Sequence, residues 1–197
     1  MISLRTYSRV LAVAAALVLV SACSQDNVRP EAASTTTSPQ ISVDDSIEQM
    51  FTQALTHLKQ EEYDEGIVLL ETLTAKETRL TAPFVNLGIA YSRTGNTRKA
   101  EYNFSRALRL DAGHAVANNE LGLLYRKTGR FNAAKSAYMN ALVAHPDYLP
   151  VRKNLGILCE LYLHDLDCAL EQYRAYLEYA PEEQTVARWA LELEQRT

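Results

Sequence analysis

Apolar and polar positions divide the chain into three stretches of different character. Residues 10–20, VLAVAAALVLV, are apolar without a break, and residues 24–45, SQDNVRPEAASTTTSPQISVDD, show no apolar periodicity at all. From about residue 47 onward the chain is dense in Ala, Leu, Glu and Tyr with few Gly or Pro, which predicts helices. This last stretch repeats itself. LGIAY at 87–91, LGLLY at 121–125 and LGILC at 155–159 stand 34 residues apart, and AEYNFSRAL (100–108), AKSAYMNAL (134–142) and ALEQYRAYL (169–177) follow at offsets of 34 and 35. Each pair of segments predicts a helical hairpin. In residues 81–114, Leu87, Gly88 and Tyr91 fall on one side of the first helix, and Ala100, Phe104 and Ala107 on one side of the second. The small residues let the two axes approach, and TGN at 94–96 supplies the turn.

A 34-residue period of Leu-Gly-x-x-Tyr, then Ala-x-x-x-Phe/Tyr, then Pro resembles the tetratricopeptide repeat. The resemblance implies an all-α fold: a right-handed superhelical solenoid of hairpins at 47–80, 81–114, 115–148 and 149–182. Pro146 and Pro181 end second helices, since proline has no N–H to continue the ladder. The fourth hairpin departs from the pattern, with Cys159 in place of the tyrosine and one extra residue in its turn, LYLHDLD. The first is the weakest match, with Gln53 where leucine is expected and Gly66 at the alanine position. Residues 183–197 form an amphipathic helix with Val186, Trp189, Ala190 and Leu193 on one stripe. A stack of repeats ends in a raw apolar face, and this helix is expected to cap it.

The N-terminal stretches change the picture from a fold to a location. Arg5 and Arg9, the apolar run and the small residues Ser21 and Ala22 have the three parts of a secretory signal. The run is shorter than the roughly 20 residues a spanning helix needs. Val20-Ser21-Ala22-Cys23 could serve as an ordinary small-x-small cleavage site; it also resembles a bacterial lipobox. The latter resemblance implies removal of residues 1–22, diacylglyceryl modification of Cys23, and sorting of a protein with Ser24 after the cysteine to the outer membrane, facing the periplasm. Residues 23–46 would then be a tether with a span of about 25 Å. The net charge of −4 becomes −6 without Arg5 and Arg9, the opposite of a nucleic-acid footprint.

Candidate chemistry is sparse. His57, His114, His145 and His164 show no metal-ligand spacing, and no glycine-rich phosphate loop is present, so neither a metal nor a cofactor is expected. Cys159 and Cys168 fall on facing helices of one hairpin, close enough for a disulfide in an oxidising compartment. Two buried free thiols, or a redox-active pair, are the alternatives.

The repeat resemblance implies a binding groove along the first helices of the hairpins. By position its residues are Val85, Asn86, Ile89 and Arg93; Asn119, Leu123, Arg126 and Lys127; and Lys153, Asn154, Ile157 and Glu160. The strip mixes Asn, Arg and Lys with aliphatics, which would suit an extended segment with a carboxylate or acidic side chains, its backbone held by the three asparagines; a solvated face with no ligand is the alternative. The expected function is a non-enzymatic scaffold for an envelope complex, with a protein or peptide partner and no small-molecule substrate. It resembles the pilotin lipoproteins of type IV pilus secretins. Adaptors of peptidoglycan hydrolases and accessories of TonB-type complexes are alternatives, as is a thiol-disulfide protein using Cys159 and Cys168.

Overall fold

The computed structural model describes residues 45–196. The apolar run, Cys23 and nearly all of the expected tether lie outside the described residues.

Among the described residues four helical hairpins follow one another. The first pairs α1 (Asp45–Lys59) with α2 (Tyr63–Lys76), and the second α3 (Thr81–Arg93) with α4 (Thr97–Leu110). The third pairs α5 (Ala115–Lys127) with α6 (Phe131–Ala144), and the fourth α7 (Leu149–Leu158) with α8 (Leu166–Tyr179). A last described helix, α9 (Gln184–Glu194), closes the stack against α8. This is the α-solenoid with a terminal cap that the 34-residue period predicts.

The glycine of each Leu-Gly pair is there for contact. A Cβ on Gly122 or Gly156 would stand 2.4 Å from the ring of Tyr138 or Tyr173, and one on Gly88 would stand 2.6 Å from Phe104. The first hairpin makes its close contact at another place. Ala54 on α1 is fully buried, and the close approach is at Gly66 on α2, where a Cβ would meet Leu58 at 2.6 Å. The match of 47–80 is poorer because Ala54 stands at the glycine place and Leu70 at the aromatic one, and the tightest contact lies at Gly66, where the other hairpins have alanine.

Turns tell a parallel story. Gly95 and Gly129 take left-handed backbone (φ 81° and 75°), while Glu61 and His164 take it in the first and fourth hairpins (φ 62° and 54°). The extra residue of the fourth turn is wound into a π-helical turn, Cys159–Leu163, which ends in the backbone bond from Asp165 N to the Cys159 carbonyl at 2.9 Å. The Asn96 and Asp165 side chains then cap α4 and α8 by accepting from Lys99 N and Cys168 N.

On α9, Val186, Ala190 and Leu193 are buried, and Trp189 lies tilted over Tyr173 with ring centroids 5.6 Å apart. Its other side carries Arg188, Glu192 and Glu194, all exposed. The expected capping role of the Val186–Trp189–Ala190–Leu193 stripe is what the helix performs.

Candidate protein-docking face

The first helix of each hairpin packs on the first helix of the next, α1 on α3, α3 on α5 and α5 on α7. Side-chain staples fix their spacing. Tyr91 on α3 donates its hydroxyl to Glu71 of α2, and Lys99 of α4 lies over the Tyr91 ring, 4.6 Å from its centroid. One hairpin on, Tyr125 donates to Glu101 of α4 at 3.0 Å. Arg130 grips the same carboxylate through two nitrogens at 2.9 and 2.8 Å and lies 4.2 Å over the Tyr125 ring.

At the third seam Cys159 stands where the tyrosine would be, and the staple is rebuilt from other parts. Cys159 is disulfide-bonded to Cys168 of α8, with Cα atoms 5.9 Å apart. The ion pair across the seam persists with its charges exchanged. Lys135 on α6 occupies the place that Glu101 has on α4, and Asp165 the place of Arg130, with Nζ and Oδ2 3.1 Å apart. The Sγ atoms of Cys159 and Cys168 and an oxygen of Asp165 lie within 4.8 Å of one another. All three are committed, however: the sulfurs to each other, and Asp165 to Lys135 and to capping α8.

The face presented by the first helices carries two rows in register. Leu55, Ile89, Leu123 and Ile157 recur at intervals of 34 residues, one per hairpin. Leu55 is 38% exposed, and the other three are half-buried. One helical turn further on, Lys59, Arg93 and Lys127 form a second row, all exposed, continued in the fourth hairpin by Leu161 at 58% exposure. None of the three cations has an ion-pair partner among the described residues. Arg93, Leu123 and Lys127 line one cavity of about 290 Å³ with Ser92, Leu124 and Glu120. Burial pushes the Glu120 carboxyl above the ordinary range, opposed by the Asn119 amide and the charge of Arg93.

Other expected groove residues are placed differently. Val85 is buried with Phe84, Ala107 and Ala117 in the seam between the second and third hairpins, because α5 rides over it. Asn119 is buried too, and its carbonyl accepts from the Asn154 amide at 2.8 Å, joining α5 to α7. Asn86 donates to the Ala82 carbonyl of its own helix at 2.9 Å. The three asparagines are therefore not an open ladder; Asn119 is bonded to Asn154 through its carbonyl and to Glu120 through its amide. Glu160 accepts from the Tyr173 hydroxyl at 3.0 Å and pairs with Arg196 at 3.5 Å, tying the fourth hairpin to the chain after α9. The guanidinium of Arg126 lies 5.9 Å from the Tyr162 ring centroid. Ile89, Leu123 and Ile157 are half-buried on this face, and Arg93, Lys127 and Lys153 are exposed. Leu55, Lys59, Glu120 and Leu161 join them, and the first, second and fourth were already legible in the 34-residue register.

Larger openings lie elsewhere. About 540 Å³ opens where α6 and α8 meet, beside Met139, Val143, Arg152 and Cys168, and about 480 Å³ between α2 and α4 beside Tyr91 and Tyr102.

Stacked hairpins, a glycine–aromatic contact in each of three and a polar-backed terminal helix define the class of fold: among the described residues the chain is an α-solenoid of tetratricopeptide-like hairpins. The family profile described as tetratricopeptide repeat matches residues 115–147. The chain is similar to the tetratricopeptide repeat and J domain-containing co-chaperone DNJ1 of Fusarium oxysporum, 31% identical over 102 residues, which are 51% of this chain and 20% of that protein. It spans about a fifth of the length of the curated relatives it matches. Among solved structures, MamA residues 41 to the end from Desulfovibrio magneticus superimposes with a TM-score of 0.67 at 19% identity, covering 79% of this chain and 87% of that one. YrrB, described as a TPR protein with an unusual peptide-binding site, gives a TM-score of 0.61 at 17% identity over 73% of each chain. At these identities the structural likeness speaks to the fold alone.

Proposed function

We propose that the chain is a non-enzymatic scaffold of a bacterial envelope complex, held at the outer membrane through a lipid on Cys23, and that it docks a protein segment on the face of its first helices. The aliphatic row Leu55, Ile89, Leu123 and Ile157 carries the docking reading: Ile89 also packs on the core at either side of α3, and the four together leave apolar surface open in register, one side chain per hairpin. The lipobox-like LVSAC and the polar stretch after it support the location, and a disulfide within the fourth hairpin suits an oxidising compartment. An assembly role of the pilotin kind fits a tethered module with one protein-binding face and a capped end. Cys159 is wholly buried and joined to Cys168 within one hairpin, which suits a structural link.

Two measurements test this. Cys23→Ala should move the protein from the membrane fraction to the soluble periplasmic fraction and abolish labelling by a clickable fatty acid; retained labelling refutes the anchor. A photo-crosslinking residue at Leu123 should trap an envelope protein in living cells, while one at Val143 should not. Trapping from Val143 alone would move the docking site to the opposite face.

A further inference from the structure

We infer that the segment this face takes is acidic and aliphatic, with apolar side chains along one edge and carboxylates along the next. The inference rests on the docking-face reading and goes beyond it to the chemistry of the partner.

Residues four apart on a helix share a face, so Leu55 and Lys59, Ile89 and Arg93, and Leu123 and Lys127 each present an aliphatic group with a cation beside it. Neighbouring helices pack with axes about 8–10 Å apart. The three pairs therefore form two parallel lines of anchors with a step of about that length. A bound helix with an apolar residue at every seventh position rises about 10.5 Å between them, the same step. The cations are the selective element. Lys99, Arg130, Lys135 and Arg174 are held by carboxylates of the chain itself; Lys59, Arg93 and Lys127 form no ion pair among the described residues, Arg93 feeling only the charge of Glu120, and they stand in register at intervals of 34 residues. Carboxylates on a partner would complete them with charge-assisted hydrogen bonds. The row ends in Leu161, so the fourth hairpin asks for an apolar group where the first three ask for acids.

Glu120 works against the same ligand. Its carboxyl lines the cavity with Arg93 and Lys127 and repels an incoming anion at that point. Removing its charge should strengthen binding, which a purely apolar attraction would not do. An anionic bilayer also offers negative charge, but Ile89, Leu123 and Ile157 are half-buried between helices, out of reach of a flat surface and within reach of a narrow segment.

The test uses residues 23–197 and synthetic peptides of about 20 residues, the length of a 30 Å helix. One has leucine at every seventh position and glutamate on the flank, the second has lysine on the flank, and the third has the leucines replaced by serine. Fluorescence anisotropy should show the Leu/Glu peptide binding about tenfold or more tighter than either of the others, more so at low salt. The triple variant Lys59→Glu, Arg93→Glu, Lys127→Glu should reverse the preference to the lysine peptide with an unchanged melting curve, and Glu120→Gln should tighten the Leu/Glu peptide. Equal affinity for the glutamate and lysine peptides, with crosslinking from Leu123, would overturn the acidic partner and leave the docking face standing. Crosslinking only from Val143 would overturn the docking face itself. Failure of every peptide to bind, or binding of phosphatidylglycerol vesicles that the triple variant loses, would overturn the inference.

Discussion

Tyr138 and Tyr173 occupy the same place in consecutive hairpins and meet different surroundings. Each ring lies across a glycine of the facing helix, and each ring is buried. The Tyr173 hydroxyl reaches the Glu160 carboxylate at 3.0 Å. In the third hairpin the place of Glu160 is taken by Arg126, which offers no acceptor, and the Tyr138 hydroxyl has no hydrogen-bond partner among the described residues. A buried hydroxyl without a partner costs about 1–3 kcal/mol, and a made bond contributes about 1 kcal/mol. Tyr138→Phe should therefore raise stability in urea denaturation by about 1 kcal/mol, while Tyr173→Phe should lower it by a similar amount. Losses of equal size from both would show that the Tyr138 hydroxyl is satisfied. The ring position was legible in the sequence because Phe104, Tyr138 and Tyr173 repeat; the fate of the hydroxyl was not, since it depends on a single residue on another helix. The same limit applies to Val85 and Asn119. Periodicity assigns them to a face, and only the path of the next hairpin decides that this face is covered.

At the scale of the element, the fourth hairpin is where the repeat is rebuilt. Its extra residue becomes a π-helical turn, its tyrosine becomes one end of a disulfide, and its seam pair has exchanged signs. The sequence announced all three positions, through an offset of 35, a cysteine in place of tyrosine, and lysine and aspartate at places held elsewhere by glutamate and arginine. What it left open is that these changes belong together. The tyrosine staples join one hairpin to the previous one, while the disulfide joins the π-helical turn after α7 to α8 within one hairpin and leaves the seam to Lys135 and Asp165. Closing a loop of about ten residues in the unfolded chain contributes about 2–3 kcal/mol. Cys159→Ser with Cys168→Ser should lower stability by about that amount. Native-state hydrogen exchange should place the increased opening in α7, α8 and α9, with α1 to α4 little changed. Uniform loss of protection along the chain would mean that the solenoid opens as one unit.

Across the whole molecule, each seam between hairpins carries one carboxylate held below its ordinary range. The Tyr91 hydroxyl, then Lys99, lowers Glu71; Arg130, then Tyr125, lowers Glu101; and the Cys168 N–H, then Lys135, lowers Asp165. A carboxyl lowered on folding contributes stability that is present above its unfolded value, 4.5 for these glutamates and 3.8 for the aspartate, and is lost as pH falls through the folded value. Glu120 has the opposite sign: its carboxyl is raised by burial, so the stability it favours is present at low pH and is lost as pH rises from 4.5 through its folded value. The two effects occupy different windows. In a solenoid, where each hairpin is held by its neighbours, weakening three seams together removes nearest-neighbour terms that no single hairpin can replace. The wild type should therefore lose stability steeply below about pH 4.5, and Glu71→Gln, Glu101→Gln, Asp165→Asn should start lower at neutral pH and fall less steeply through that range. Glu120→Gln should leave the acid limb unchanged and gain its advantage above pH 4.5. Urea midpoints measured from pH 3 to 8 separate the two, and an acid limb as steep in the triple variant as in the wild type would assign the loss to groups outside the seams.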